Sequence, residues 1–154
     1  PSFVQREGWP CAMASEQFQQ FRDFYDEDPE GTLIRFLSLQ CRGSDRMKED
    51  IRFLQEILYL QGLPAPQALR GGLRLLSELD VRADFAALTQ PLLVLLGAND
   101  VLVPASLAQA LAALNATLAE QSIQVLAQSG HAPFLAEPTA FLRLALPFLV
   151  ANVG

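Results

Sequence analysis

The apolar positions of this chain change their period once, near residue 80. Before that point they recur every three to four residues, the spacing of a helix with one buried face; after it they cluster in short continuous runs, as in strands. Residues 11–79 therefore predict helices alone. In 16–25, Phe18, Phe21, Phe24 and Tyr25 fall on one aromatic face. Asp28-Pro29-Glu30 reads as a helix N-cap followed by proline at the first helical position. The helix it opens carries Leu33, Phe36, Leu37 and Leu39 as its apolar stripe. Gly43-Ser44-Asp45 breaks that helix, with Ser44 or Asp45 placed to cap the next. The third helix is expected to bury Ile51, Leu54, Ile57 and Leu58 until Gly62-Leu63-Pro64-Ala65-Pro66 stops it. A fourth is predicted over 66–76, weakened at Gly71-Gly72, because each glycine costs a helix interior about 1 kcal/mol.

Past residue 80 the run Pro91-Leu92-Leu93-Val94-Leu95-Leu96-Gly97 predicts a strand buried on both faces. An alanine- and leucine-rich helix follows over 104–115. A second, more mixed strand over 122–126 belongs nearer a sheet edge. Residues 137–151 form a closing helix, expected to bend at Pro147. Strand, helix, strand and helix with short connections imply an α/β architecture with parallel pairing and right-handed crossovers. Two strands are too few for a stable doubly wound sheet. The chain thus reads as part of a larger α/β domain, and its open strand edge is expected to promote self-association of the fragment. A start at Pro1 rather than methionine fits a fragment or a processed chain.

Of the 154 residues 51% are apolar and 18% charged, the balance of a packed globular protein. A net charge of -6 argues against non-specific nucleic-acid binding, which needs a basic surface. Cys11 and Cys41 make neither a disulfide framework nor a spaced metal site, and such sparse use fits a reducing cytosol. No secretory leader is visible and no apolar run is long enough to cross a bilayer. A cytoplasmic protein without membrane contact, metal or organic cofactor is expected.

Two loops carry the candidate chemistry. Asp100 stands in Gly97-Ala98-Asn99-Asp100-Val101-Leu102-Val103-Pro104 and His131, the sole histidine, in Ser129-Gly130-His131-Ala132-Pro133-Phe134, each just after a predicted strand. Ligands of parallel sheets gather at such carboxyl ends. A carboxylate there can accept Nδ1–H of an imidazole and fix its tautomer, though an Asx-turn or a helix cap before Pro104 would use the same residue. His131 can present Nε2 as a general base, or simply be a packed or surface histidine. Pro133 should hold the chain leaving it away from helix. An acid followed 31 positions later by a histidine is the tail of a Ser…Asp…His triad in chain order. Its nucleophile belongs upstream on a G-x-S-x-G turn, a motif these residues do not contain.

The acid and histidine loops resemble those of the α/β-hydrolase fold. Trp9-Pro10, Arg35-Phe36-Leu37-Ser38-Leu39-Gln40 and Gly71-Gly72-Leu73-Arg74-Leu75-Leu76 are similar to the helical cap of its biotin-synthesis esterases, which cleave the methyl ester of pimeloyl-acyl carrier protein. The resemblance covers nearly the whole chain and implies the C-terminal portion of a mostly parallel sheet beneath an all-helical cap. It places the cap in residues 1–80 and the C-terminal part of the hydrolase core in 81–154, with the N-terminal nucleophile half absent. It further implies Asp100 as triad acid, His131 as general base, and Arg35, Lys48 and Arg52 as docking residues for an acidic carrier protein. Gly31 stands where another arginine would be expected, with Arg42 and Arg46 nearby. Lys48 and Arg52 share one helix face, although most such charges are solvated surface. Phe36 and the aromatic stripe would line an acyl channel, or serve only as core.

These features leave three readings. The first is a serine carboxylesterase of which this chain supplies acid and base, inactive by itself, acting on a carrier-linked or small ester. The second is another α/β-hydrolase: an enol-lactone, C–C bond or short-chain ester hydrolase. The third is a non-catalytic carrier-protein-binding module.

Overall fold

A computed structural model of the protein describes residues 1–118 and 122–152. Four helices come first: α1 (Ser15–Glu27), α2 (Pro29–Gln40), α3 (Met47–Gln61) and α4 (Pro66–Glu78). A short α5 (Arg82–Ala86) leads to β1 (Val94–Gly97), α6 (Leu107–Leu114) and β2 (Ile123–Leu126). The chain closes with a one-turn α7 (Pro133–Ala136) and α8 (Pro138–Asn152). Among the described residues no helix is long and apolar enough to cross a membrane.

The helical layer follows from local chemistry. Asp28 caps α2 by accepting the Gly31 N–H at 2.9 Å, with Pro29 at the first turn where its missing N–H costs nothing. The α1–α2 hairpin packs through its aromatic faces: Phe18 and Tyr25 are buried, and Phe21 stacks on Phe36 at 6.0 Å between ring centroids. Phe24 lies off this core and is exposed, with the Arg35 guanidinium 5.7 Å from its ring centroid. Neither Ser44 nor Asp45 caps α3. Its N-cap is Arg46, and Ser44 instead shapes the preceding turn, accepting the Arg46 N–H and donating its hydroxyl to buried Asp50 at 2.5 Å. The expected apolar face of α3 is only partly covered: Ile51, Leu54 and Leu58 are half-buried and Ile57 is exposed. Among the described residues the helix packs mainly on α2, which leaves much of that face uncovered. Helix α4 forms through Gly71-Gly72, with Leu69, Leu73 and Leu76 lining a pocket shared with α1 and α2.

Residues 1–13 are irregular and tie the two ends of the helical layer together. Ser2 bridges Asp80, and Arg6 donates to the carbonyls of Ser77 and Glu78 at 2.7 and 2.9 Å. Arg82 grips Asp80 at 2.7 Å and the Glu7 carbonyl at 3.1 Å. The Arg82 hydrogen bonds hold the Asp80 carboxyl down at about 2. Trp9 and Ala12 of this segment are buried with Leu111 of α6, and Phe85, Val94 and Ile123 pack around them.

Strands β1 and β2 are parallel, in register from Val94↔Ile123 to Gly97↔Leu126, with α6 in the connection. The run 91–97 is not buried on both faces as expected: Leu92 to Leu95 are half-buried, and only Leu96 and Gly97 are closed off. In the described structure β1 pairs with β2 alone, so one side of it stays open. Pro133 does not keep the chain from helix but opens α7, because proline's fixed φ suits a first helical turn. Helix α8 runs through Pro147 without interruption.

Tyr25 is 2% exposed, and among the described residues its hydroxyl has no hydrogen-bond partner. Such a group loses its hydration without repayment. Tyr25→Phe should therefore leave stability unchanged or raise it by about 1 kcal/mol in urea unfolding. A loss above that size would mean that the hydroxyl has a partner in solution.

Candidate active site

Two loops leave the carboxyl ends of β1 and β2 and meet side by side. Backbone bonds join them: Ala98 N–H donates to the Leu126 carbonyl and Asn99 N–H to the Ser129 carbonyl, both at 2.9 Å. The Asn99 side-chain amide adds a bond to the Ala127 carbonyl at 3.3 Å. The approach is close enough to require glycine. A Cβ at Gly97 would collide with the carbonyls of Ser129 and Gly130, and one at Gly130 with the Arg42 carbonyl just past α2. The residue after the histidine is held to the helical layer as well, Ala132 N–H donating to the Gln40 carbonyl at 3.2 Å.

This seam sets Asp100 Oδ2 at 2.8 Å from His131 Nδ1. Asp100 Oδ1 meanwhile accepts the N–H groups of Leu102 and Val103 at 2.8 and 3.0 Å. The turn role and the imidazole role that the sequence left as alternatives are thus both filled, one by each oxygen. The Asp100 side chain is 5% exposed and that of His131 34%. Burial raises the Asp100 carboxyl, but the His131 N–H, the Val103 and Leu102 N–H groups and the nearby imidazole outweigh it and hold the group below the ordinary carboxylate value. An ionised carboxylate only accepts, so Nδ1–H donates the bond between them, and in the neutral imidazole that tautomer leaves the lone pair on Nε2. Among the described residues Nε2 has no hydrogen-bond partner. The arrangement can take a proton at Nε2 while Asp100 stabilises the imidazolium that results.

An apolar pocket of about 230 Å³ reaches the acid loop through Leu102 and is otherwise lined by residues that include Phe18, Phe21, Tyr25, Phe36 and Leu73 of the helical layer. The aromatic stripe and Phe36 thus come together, Leu102 standing two residues from Asp100. The contribution of α4 was not read from the sequence, although its spacing Leu69, Leu73, Leu76 marks one apolar face. Also missed was Glu137, whose carboxylate binds the turn ahead of His131, accepting from Gln128 N–H at 2.9 Å and the Ser129 hydroxyl at 2.6 Å. A polar contact eight positions apart leaves no periodic signal.

Arg35, Lys48 and Arg52 are exposed on α2 and α3, as are Arg42 and Arg46 between them. Among the described residues none of the five forms an ion pair. Gly31 sits where a Cβ would strike the Asp28 carboxylate that caps α2. Among the described residues no group of three or more His, Cys, Asp or Glu side chains could hold a metal ion.

No protein-family model matches the chain. It is 42% identical over 135 residues to the pimeloyl-[acyl-carrier protein] methyl ester esterase of Xanthomonas oryzae pv. oryzae, a match covering 88% of this chain and 52% of that protein. The esterase of the same name from Stenotrophomonas maltophilia is 42% identical over 154 residues, all of this chain and 58% of that protein. Its counterpart from Pectobacterium carotovorum is 36% identical over 151 residues, 98% of this chain and 58% of that protein. The chain thus spans just over half the length of the curated relatives it matches. In structure it superposes on an esterase from Exiguobacterium antarcticum with a TM-score of 0.84 and 19% identity, covering 97% of this chain and 53% of that one. That likeness shows the fold: the C-terminal portion of an α/β-hydrolase.

A carboxyl held below its ordinary value binds its proton less readily in the folded than in the unfolded chain. Its contribution to stability is complete above the unfolded value of about 3.9 and is lost as pH falls through the lowered folded value. The stability gap between the protein and Asp100→Asn should accordingly narrow in urea unfolding as pH drops below about 4. A gap independent of pH would show that Asp100 gains nothing from its partners.

Proposed function

We propose that this chain, which has the fold of the C-terminal portion of an α/β-hydrolase, supplies the acid and the base of a carboxylic ester hydrolase of biotin synthesis, acting on the methyl ester of pimeloyl-acyl carrier protein. The observation that carries the reading is the 2.8 Å contact between His131 Nδ1 and Asp100 Oδ2 at two adjoining loop ends, with Nε2 left to work. The relatives named as esterases of that ester supply the substrate.

In this mechanism a serine outside these 154 residues attacks the ester carbonyl while His131 Nε2 takes its proton. The same proton passes to the departing methoxide, and methanol leaves. Water then gives a proton to His131, attacks the acyl-enzyme and releases the free acid, the serine recovering its proton from Nε2. Asp100 keeps the tautomer and steadies the imidazolium through each half. The helices before residue 80 act as the cap. The pocket around Phe36 takes the acyl chain, its apolar lining suiting the methylenes. Arg35, Lys48 and Arg52 dock the acidic carrier, and their freedom from ion pairs among the described residues supports this role, because no carboxylate partner there must first be displaced. Work of this kind belongs in the cytoplasm.

In the full-length protein that contains these residues, Asp100→Asn should lower turnover on the order of 10⁴-fold by admitting the wrong tautomer, and His131→Ala should abolish it. Arg52→Glu should cut kcat/KM about tenfold for carrier-linked methyl ester and leave free short-chain esters untouched. Equal loss on both substrates would rule out docking at α3. Turnover surviving in His131→Ala would end the esterase reading. The isolated 154-residue chain, with β1 open on one side, should self-associate, and a clean monomer by light scattering at high concentration would contradict this.

A further inference from the structure

We propose that Glu137 is a positioning residue for the proposed acid–base pair, its carboxylate setting the turn 127–130 that fixes the spacing between His131 and Asp100. The inference rests on the ester-hydrolase reading for its effect on rate, but its geometry is independent of it. Glu137 is the C-cap of α7 and directly precedes Pro138, the first residue of α8. Here one oxygen, Oε2, turns back and accepts both the Gln128 N–H at 2.9 Å and the Ser129 hydroxyl at 2.6 Å. The short hydroxyl contact is that of a charge-assisted bond. Ser129 is 0% exposed, so without Glu137 its hydroxyl would stay buried with no acceptor.

What the carboxylate holds matters more than the bonds themselves. The Ser129 carbonyl accepts from Asn99 N–H, and the Ala127 carbonyl from the Asn99 side chain. Gly130 is wedged between Gly97 and the Arg42 carbonyl. Asn99 adjoins Asp100 and Gly130 adjoins His131, so the turn is the common mount of both loops. Nothing in Glu137 need touch the substrate. A displacement of His131 by about 1 Å is enough to cost two orders of magnitude in rate.

The test uses the full-length protein and reads two signals. One is steady-state kinetics; the other is the low-field NMR resonance of the proton between His131 Nδ1 and Asp100, recorded without substrate. Glu137→Ala should lower kcat about tenfold to a hundredfold with KM nearly unchanged, and should broaden or shift the resonance. Glu137→Gln keeps a carbonyl oxygen that can accept both bonds and should restore the resonance and most of kcat. Ser129→Ala, which removes one of the two bonds, should fall between. The proposal fails if Glu137→Ala retains wild-type kcat and resonance, or if Glu137→Gln is as impaired as Glu137→Ala. If Glu137→Ala does not fold, Ser129→Ala decides, and wild-type behaviour in it overturns the proposal. A resonance that responds as expected in a protein with no ester turnover would sink the ester-hydrolase reading and leave the positioning role standing.

Discussion

The near-contact of Gly97 with the carbonyls of Ser129 and Gly130 is the constraint on which the site depends. Strands in a parallel pair end on the same side, but that alone leaves their loops several ångströms apart. Removing one side chain lets the backbones close, and the Asn99–Ser129 and Ala98–Leu126 bonds lock them. Only then can a short aspartate side chain reach an imidazole 31 positions away. The glycine is thus part of the acid–base geometry without carrying any chemistry.

Closing the loops has an electrostatic cost, because it buries Asp100. That cost is offset locally. Oδ1 takes two backbone N–H groups and Oδ2 takes the imidazole, so the charged form keeps three donors in place of water. The lowered carboxyl value records which side wins. His131 is left more open than its partner, as the proposed exchange of protons with a group outside the pair requires.

Much of this was legible in the sequence where one physical signal dominated. Helical periodicity located α1 to α4, and Asp28-Pro29 marked the start of α2, because burial of one face and capping are local properties. The chain order of Asp100 and His131 pointed to a shared site because each follows a strand. Other features had no local signature. The extended path of residues 1–13 depends on Arg6 and Arg82, which find their partners more than 70 positions away. The exposure of Ile57 on α3 and the half-burial of Leu93 in the 91–97 run reflect which neighbours are present, not the pattern of the segment itself. Proline was misread at 133 because it both ends and begins helices, and only the following residues decide which.

The same seam also joins the helical layer to the loops. Helix α2 ends at Gln40, where its last carbonyls lack helical partners. One of these accepts the N–H of Ala132, the residue after the histidine. The Arg42 carbonyl meanwhile packs on Gly130, and Leu102 of the acid loop closes the apolar pocket built by α1, α2 and α4. The pocket wall and the acid–base pair therefore share a backbone framework. A link of this kind favours precision over adaptation, because the 2.8 Å spacing of Asp100 and His131 is set by the backbone before any other group arrives. It also makes the end of α2 a sensitive place, since any shift of Gln40 would alter the pocket and the histidine loop together.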